Sequence, residues 1–314
     1  MQVPLYKNRL PTLVGLILVI QSLVCPSSSA SPPPAAPLSH HLLKLAQYID
    51  SSAQDYLTQG LEAIQVGRVK DAIALFRKAT ELDPNLAAAH YNLGLALRQA
   101  GQLQPAADAF YKATQSDPQF AQAYADLGGS LLEGSNWQQA NDYLQRAIQL
   151  DPKLGTAHYN LGLLREQQRD CEQAIASFKK AIELTKNAPE PAYHMGICYL
   201  QQGQTDKAKD AFRKAVKRNP KYSEAHYELG AILLNQRKLK DALEAFRKSA
   251  QANTNNANAY YSAGLVFIEL KQYPQAAEVL QYARDLYKAQ KNFQWANNAQ
   301  NLWQQISNVN YPPR

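Results

Sequence analysis

Cysteine is scarce, with three in 314 residues, which excludes a fold stapled by disulfides. No apolar run reaches the roughly 18 unbroken residues of a full membrane span. The charge balance, 33 basic against 26 acidic residues, gives a net +7, too mild to define a polyanion-binding class. The chain has no histidine–glutamate zinc motif, no phosphate loop and no nucleophile elbow. An apolar fraction of 46% in turn excludes a wholly disordered chain. Proline is unevenly placed, with seven of its 17 occurrences in the first 37 residues.

Residues 1–30 read as a secretory signal. Lys7 and Arg9 form a positive head, Leu13 to Ile20 an apolar core extended by Leu23 and Val24, and Ser28-Ser29-Ala30 a small-residue cleavage site. Export out of the cytosol follows as the expectation: periplasm, organelle lumen or extracellular space. The alternative is an uncleaved membrane anchor, so that any membrane contact would run through residues 13–24. A lipoprotein signal at Cys25 is disfavoured because Val24 is bulky where that signal needs a small residue. Cleavage after Ala30 leaves 31 basic and 26 acidic residues, net +5. Pro32, Pro33 and Pro34 then favour a semi-rigid polyproline spacer, and Leu42, Leu43, Leu45 and Ile49 a short helix, so that 31–52 precede the main fold.

A 34-residue period fills the rest of the chain. Glycine recurs at Gly60, Gly94, Gly128, Gly162, Gly196, Gly230 and Gly264, and alanine at Ala72, Ala106, Ala140, Ala174, Ala208, Ala242 and Ala276. Four residues after each alanine stands Phe76, Phe110, Leu144, Phe178, Phe212, Phe246 or Leu280. Seven units over 53–290 share one frame without insertion or deletion.

Each unit reads as two helices. In the second unit Leu93, Ala96 and Leu97 keep helical spacing until Gly101 breaks it, and Asp117-Pro118 ends the following helix. Glycine within a helix costs about 1 kcal/mol relative to alanine, so seven in register imply a packing demand where two helices cross. The aromatic four residues past the alanine shares its helical face and fills the space between helices. A single pair cannot bury its apolar face, so the units must stack.

Period and signature resemble the tetratricopeptide repeat. The tryptophan slot of that signature holds Tyr56, His90, Tyr124, His158, Ala192, His226 and Tyr260. The closing proline is missing from the fourth and sixth units, where Lys186 and Thr254 stand, so different bends are expected there, with Pro189 and Pro191 opening the fifth unit. The resemblance implies an all-α, right-handed superhelical solenoid of antiparallel helix pairs. Residues 291–314 supply a capping helix and tail, with Phe293, Ala296, Ala299, Leu302, Trp303 and Ile306 on one stripe. Glutamine-rich, indel-free repeats of this kind are similar to bacterial members of the family.

Nothing in the sequence assembles a catalytic or metal site, and no enzyme activity or cofactor is expected. His90, His158 and His226 occupy one column in alternate units, too far apart to share a metal. Cys171 and Cys198 read as small, partly buried thiols, with a disulfide left open. A basic column (Lys78, Lys112, Arg146, Lys180, Lys214 and Lys248) reads as the solvated face of the second helices. With no aromatic platform for bases, no nucleic-acid partner is expected.

The resemblance places the working surface in a concave groove lined by first helices. The columns three residues before and one after each glycine then supply Tyr91, Tyr159, Tyr193, Tyr227 and Tyr261, and Leu95, Leu163 and Ile197, with Asn92 and Asn160 alongside. These residues are the expected contacts for a protein or peptide segment, since tyrosine gives large area at low rotamer cost. The lysines and arginines with which related repeats clamp chaperone C-terminal carboxylates are replaced here by Tyr, Asn and Gln.

Overall fold

The computed structural model describes residues 40–310, which form fifteen α-helices and, among the described residues, no strand. The segments expected to be a signal and a proline spacer, and the last four residues, lie outside them. Seven helix pairs follow one another: α1 (His40–Gln65) with α2 (Val69–Leu82), α3 (Ala87–Gln99) with α4 (Leu103–Ser116), α5 (Ala121–Glu133) with α6 (Trp137–Leu150), and α7 (Gly155–Gln167) with α8 (Cys171–Leu184). The series continues as α9 (Glu190–Gln201) with α10 (Thr205–Arg218), α11 (Ser223–Asn235) with α12 (Leu239–Ala252), and α13 (Ala257–Glu269) with α14 (Tyr273–Ala289), and α15 (Phe293–Asn310) packs on α14. No helix among the described residues is long and apolar enough to cross a membrane.

The seven glycines carry the packing of each pair. A Cβ built on Gly162 would lie 2.5 Å from Cε1 of Phe178, and one on Gly94, Gly196 or Gly230 would lie 2.6 Å from the matching ring of Phe110, Phe212 or Phe246. Leu144 and Leu280 take the same seat over Gly128 and Gly264. These rings and the seven alanines of the period are buried. Burial of such a ring contributes roughly 1.5–3 kcal/mol. The packing demand is therefore a seat for the aromatic rather than close backbone crossing alone.

The turn inside each pair needs a left-handed residue. Gly67, Gly101 and Gly203 supply it at φ 72–76°, but Ser135, Arg169, Arg237 and Lys271 hold the same position at φ 59–62°. The next amide then reaches back to the helix, as Asp170 N–H does to the Arg165 carbonyl at 2.9 Å.

Between pairs, the side chain of Asp83, Asp117, Asp151, Asn219 or Asn253 accepts from the amide two residues on, at 2.9–3.0 Å. This turn stops the helix with or without proline. The junction after the sixth unit, with Thr254 in the proline slot, thus keeps the ordinary geometry, contrary to expectation: Asn253 has φ −139° and ψ 99°, close to the −129° and 99° of Asn219. The junction after the fourth unit does differ. Thr185 has no such side chain to offer and instead donates its hydroxyl to the Ala181 carbonyl. Here α9 begins one residue late with Pro191 in its first turn, and Arg218 donates to the carbonyls of Ile182 (3.1 Å) and Ala188 (3.2 Å).

Both ends depart in detail from expectation. The short helix around Leu42–Ile49 is not separate, because no glycine or proline interrupts 42–59 and α1 runs through it into the first unit. On α15 Ala296, Ala299 and Ile306 are buried, but Phe293 is 63% exposed; Trp295 instead meets Tyr261, centroids 5.4 Å apart.

Candidate functional site

First helices of adjacent units touch one another as well as their own partners, α5 with α7, α7 with α9 and α11 with α13. Side chains bridge α3 to α5, Tyr91 to Asp126, and α9 to the start of α11, Tyr193 to Tyr222, and the tyrosine column lies along the face so formed. Tyr91, Tyr159, Tyr193 and Tyr227 each lean on the phenylalanine of their own pair, Phe110, Phe178, Phe212 and Phe246, with centroids 5.7–6.1 Å apart. Their rings are half-buried. The stack glycine–phenylalanine–tyrosine thus fixes each phenol at the edge of the core. Tyr261 lacks the phenylalanine, since Leu280 occupies that seat, and packs instead on Trp295 and Tyr287.

The aliphatic column is exposed to different degrees. Leu95 is exposed, and Leu163 and Ile197 are half-buried on the same face. The two asparagines are already engaged within the fold. Asn160 is buried and donates its amide to the Ala125 carbonyl of α5 at 3.0 Å, over the bare backbone of Gly129. Asn92 donates to the Ala88 carbonyl of its own helix at 2.8 Å. Asn160 therefore ties α7 to α5, while the Asn92 bond stays within α3.

The column containing these asparagines, two residues before each glycine, also holds Asp126, His194 and Glu228. Asp126 is buried and accepts from Tyr91 Oη at 2.8 Å and from Gln122 at 2.9 Å, with Arg98 3.8 Å away. Burial, then the Asp126 charge, pushes the Tyr91 phenol upward. His194 Nδ1 lies 2.8 Å from Glu166 Oε2 and stacks on Phe178. The Glu228 carboxyl is also half-buried, and burial alone raises its pKa. The sequence reading singles out Asn92 and Asn160 in this column but not Asp126, His194 and Glu228, although the 34-residue frame aligns them.

Carboxylates surround the phenols from α7 onward. Burial, then Glu228, Glu224 and Glu166, pushes Tyr193 up to about 12. Burial, then Glu190 and Glu166, does the same to Tyr159, also to about 12. Tyr222, at the start of α11, meets Tyr193 edge-on at 5.4 Å.

The histidine column has a structural task. Nε2–H of His90, His158 and His226 donates to the carbonyl of Pro84, Pro152 and Pro220 at 2.9–3.0 Å, tying each first helix to the preceding junction. Cys171 and Cys198 are buried, free thiols in one apolar cluster. Among the described residues no three His, Cys, Asp or Glu side chains converge as metal ligands. The lysines of the basic column are exposed, Arg146 is half-buried over the Tyr124 ring, and Lys78 pairs with Glu81 and Lys180 with Glu183, contacts worth at most about 1 kcal/mol.

Stacked helix pairs, a glycine seat for each aromatic and a first-helix face define a helical-repeat protein of the tetratricopeptide type. A family model described as the Cilia and flagella-associated protein 70 C-terminal domain, of this repeat type, matches residues 40–263, and the chain belongs to that family. No curated protein matches the chain. Among solved structures, that of Pseudomonas aeruginosa pilF is similar at TM-score 0.58 and 23% identity, over 67% of this chain and 96% of that one. A chain of the APC/C hetero-tetramer Cut9-Hcn1 is similar at TM-score 0.61 and 17% identity, over 85% of this chain and 56% of that one. YrrB, a TPR protein with an unusual peptide-binding site, reaches TM-score 0.49 at 25% identity, over 62% of this chain and 99% of that one. The likenesses to pilF and to the Cut9-Hcn1 complex show the fold.

Proposed function

We propose that this chain is a non-enzymatic interaction scaffold that holds a segment of a partner protein against its first helices, in an exported compartment. The observation that carries the reading is the row of half-buried tyrosines, each braced from below by a phenylalanine. A braced phenol offers area and a hydroxyl with little rotamer entropy to lose on binding. Export rests on the apolar segment and small-residue site before residue 31 in the sequence.

The test is affinity capture from the native source with the full chain as bait, beside a Leu163→Gln/Ile197→Gln variant. Alanine at the tyrosines is a poor choice, because it strips the phenylalanine of its cover and lowers stability along with binding. A partner retained by the natural chain and lost by the variant supports the groove. Equal retention by both moves the site to the second helices. Intact mass of the exported protein tests cleavage: loss of residues 1–30 supports it, and a full-length mass refutes it.

A further inference from the structure

Charge is divided between the two helix sets. The first helices α3, α5, α7, α9, α11 and α13 carry seven carboxylates and two cations. The second helices α2 to α14 carry twelve carboxylates and eighteen cations. The two first-helix cations are engaged, Arg98 with Asp126 and Glu133, and Arg165 with Gln168. From α9 on, the first helices have no lysine or arginine but hold Glu190, Glu224, Glu228 and Glu269.

A cleft of about 330 Å³ opens on this stretch, lined by Tyr193, Tyr227, Glu224, Glu228, Asn258 and Gln290 among others, and its charged lining is wholly acidic. A cleft between α10 and α12 is rich in cations instead, bordered by Arg213, Lys217, Lys221 and Lys248. Glu228 differs from the other large polar residues of its column. Asn92, Asp126, Asn160 and His194 each have a polar partner within the fold. Burial acts on Glu228 without a compensating hydrogen bond or cation among the described residues. A half-buried carboxylate without a partner is costly, and an arriving cation removes that cost. Phenol rings beside it add cation–π attraction.

We propose that the first-helix face of units four to seven receives a lysine- or arginine-rich segment of a partner protein, with one cation seated at Glu228 between Tyr193 and Tyr227. The proposal rests on the reading of this face as the working surface. Carboxylates spread over successive units suit a chain of repeated cations, and the asparagine and glutamine lining can pair with its peptide groups.

Fluorescence anisotropy with the full chain tests it. The probes are fluorescein-labelled twelve-residue peptides: alternating lysine–alanine, alternating glutamate–alanine, and an uncharged serine–alanine control. The lysine peptide is expected to bind, and to weaken between 50 and 300 mM salt. Glu224→Gln/Glu228→Gln is expected to weaken it about tenfold, some 1.4 kcal/mol. Glu278→Gln, on the second helix α14, is expected to change nothing. An unchanged melting temperature in the Gln variants excludes misfolding as the cause. Equal binding by the Glu224→Gln/Glu228→Gln variant, no binding of the lysine peptide, or a preference for the glutamate peptide would overturn the proposal. If the acidic or neutral probe binds instead and Leu163→Gln/Ile197→Gln abolishes it, the groove reading stands while the basic partner falls.

Discussion

The ring of Phe178 occupies the space where Gly162 lacks a side chain, with Cε1 2.5 Å from the position a Cβ would take. This contact recurs through the solenoid and links core to surface, because the same ring also packs against Tyr159, with centroids 6.1 Å apart. Gly162→Ala is expected to destabilise the protein by roughly 1–3 kcal/mol, despite alanine's better helix propensity. In a Phe178→Ala background the same substitution is expected to be stabilising, because the ring is gone and the propensity remains. Urea denaturation of the four variants gives the cycle, and additivity would refute the contact.

Lys271→Gly is expected to stabilise by about 0.5–1 kcal/mol, since Lys271 sits at φ 60° where glycine is unstrained. Gly101→Ala is expected to destabilise by a similar amount. No atom lies within 4 Å of a Cβ there, so the cost is backbone conformation alone. Thermal melts of both variants check the pair, and a neutral Gly101→Ala contradicts the argument.

Burial lowers the pKa of His90 below its ordinary 6.5, with Lys112 lowering it further and the Pro84 hydrogen bond and Asp83 opposing. The unfolded chain therefore binds the proton more readily than the folded one. The His90 contribution is full above about pH 6.5 and is lost as pH falls towards the lowered folded value. His90→Gln keeps a donor for the Pro84 carbonyl without titrating. Its stability is expected to fall less than that of the natural chain between pH 7.5 and 5.5, measured by urea midpoints at each pH. Parallel curves would refute it.

Burial, then the neighbouring Cys171, pushes the Cys198 thiol well above its ordinary range. Cys198 is fully buried and Cys171 nearly so. Alkylation by iodoacetamide at pH 8, mapped by peptide mass, is expected to spare both in the native protein and to modify both in urea. Rapid native labelling of Cys198 would contradict the burial.

How far the sequence reaches is shown by Asn160 and Glu228. Both stand two residues before a glycine and on the same helical face, and the frame alone ranks them equally. Only the packed structure distinguishes them: Gly129 leaves α5 bare enough for Asn160 to reach the Ala125 carbonyl, while no such approach engages Glu228. The same holds at the junctions. Loss of proline after the sixth unit looked disruptive, yet Asn253 keeps the turn through its own side chain, whereas Thr185 after the fourth unit does not.

The 34-residue period by itself determined the helix pairs, their turns, the glycine–aromatic core and the family, because these depend on contacts within a unit or with its neighbour, at fixed sequence distance. The tertiary structure decided which polar side chains on the first helices are consumed by packing, that α1 runs unbroken into the first unit, and that carboxylates from separate units gather around the phenols of α7 to α11. Those outcomes depend on which neighbour happens to be small or absent across an interface, and no single column of the repeat encodes that.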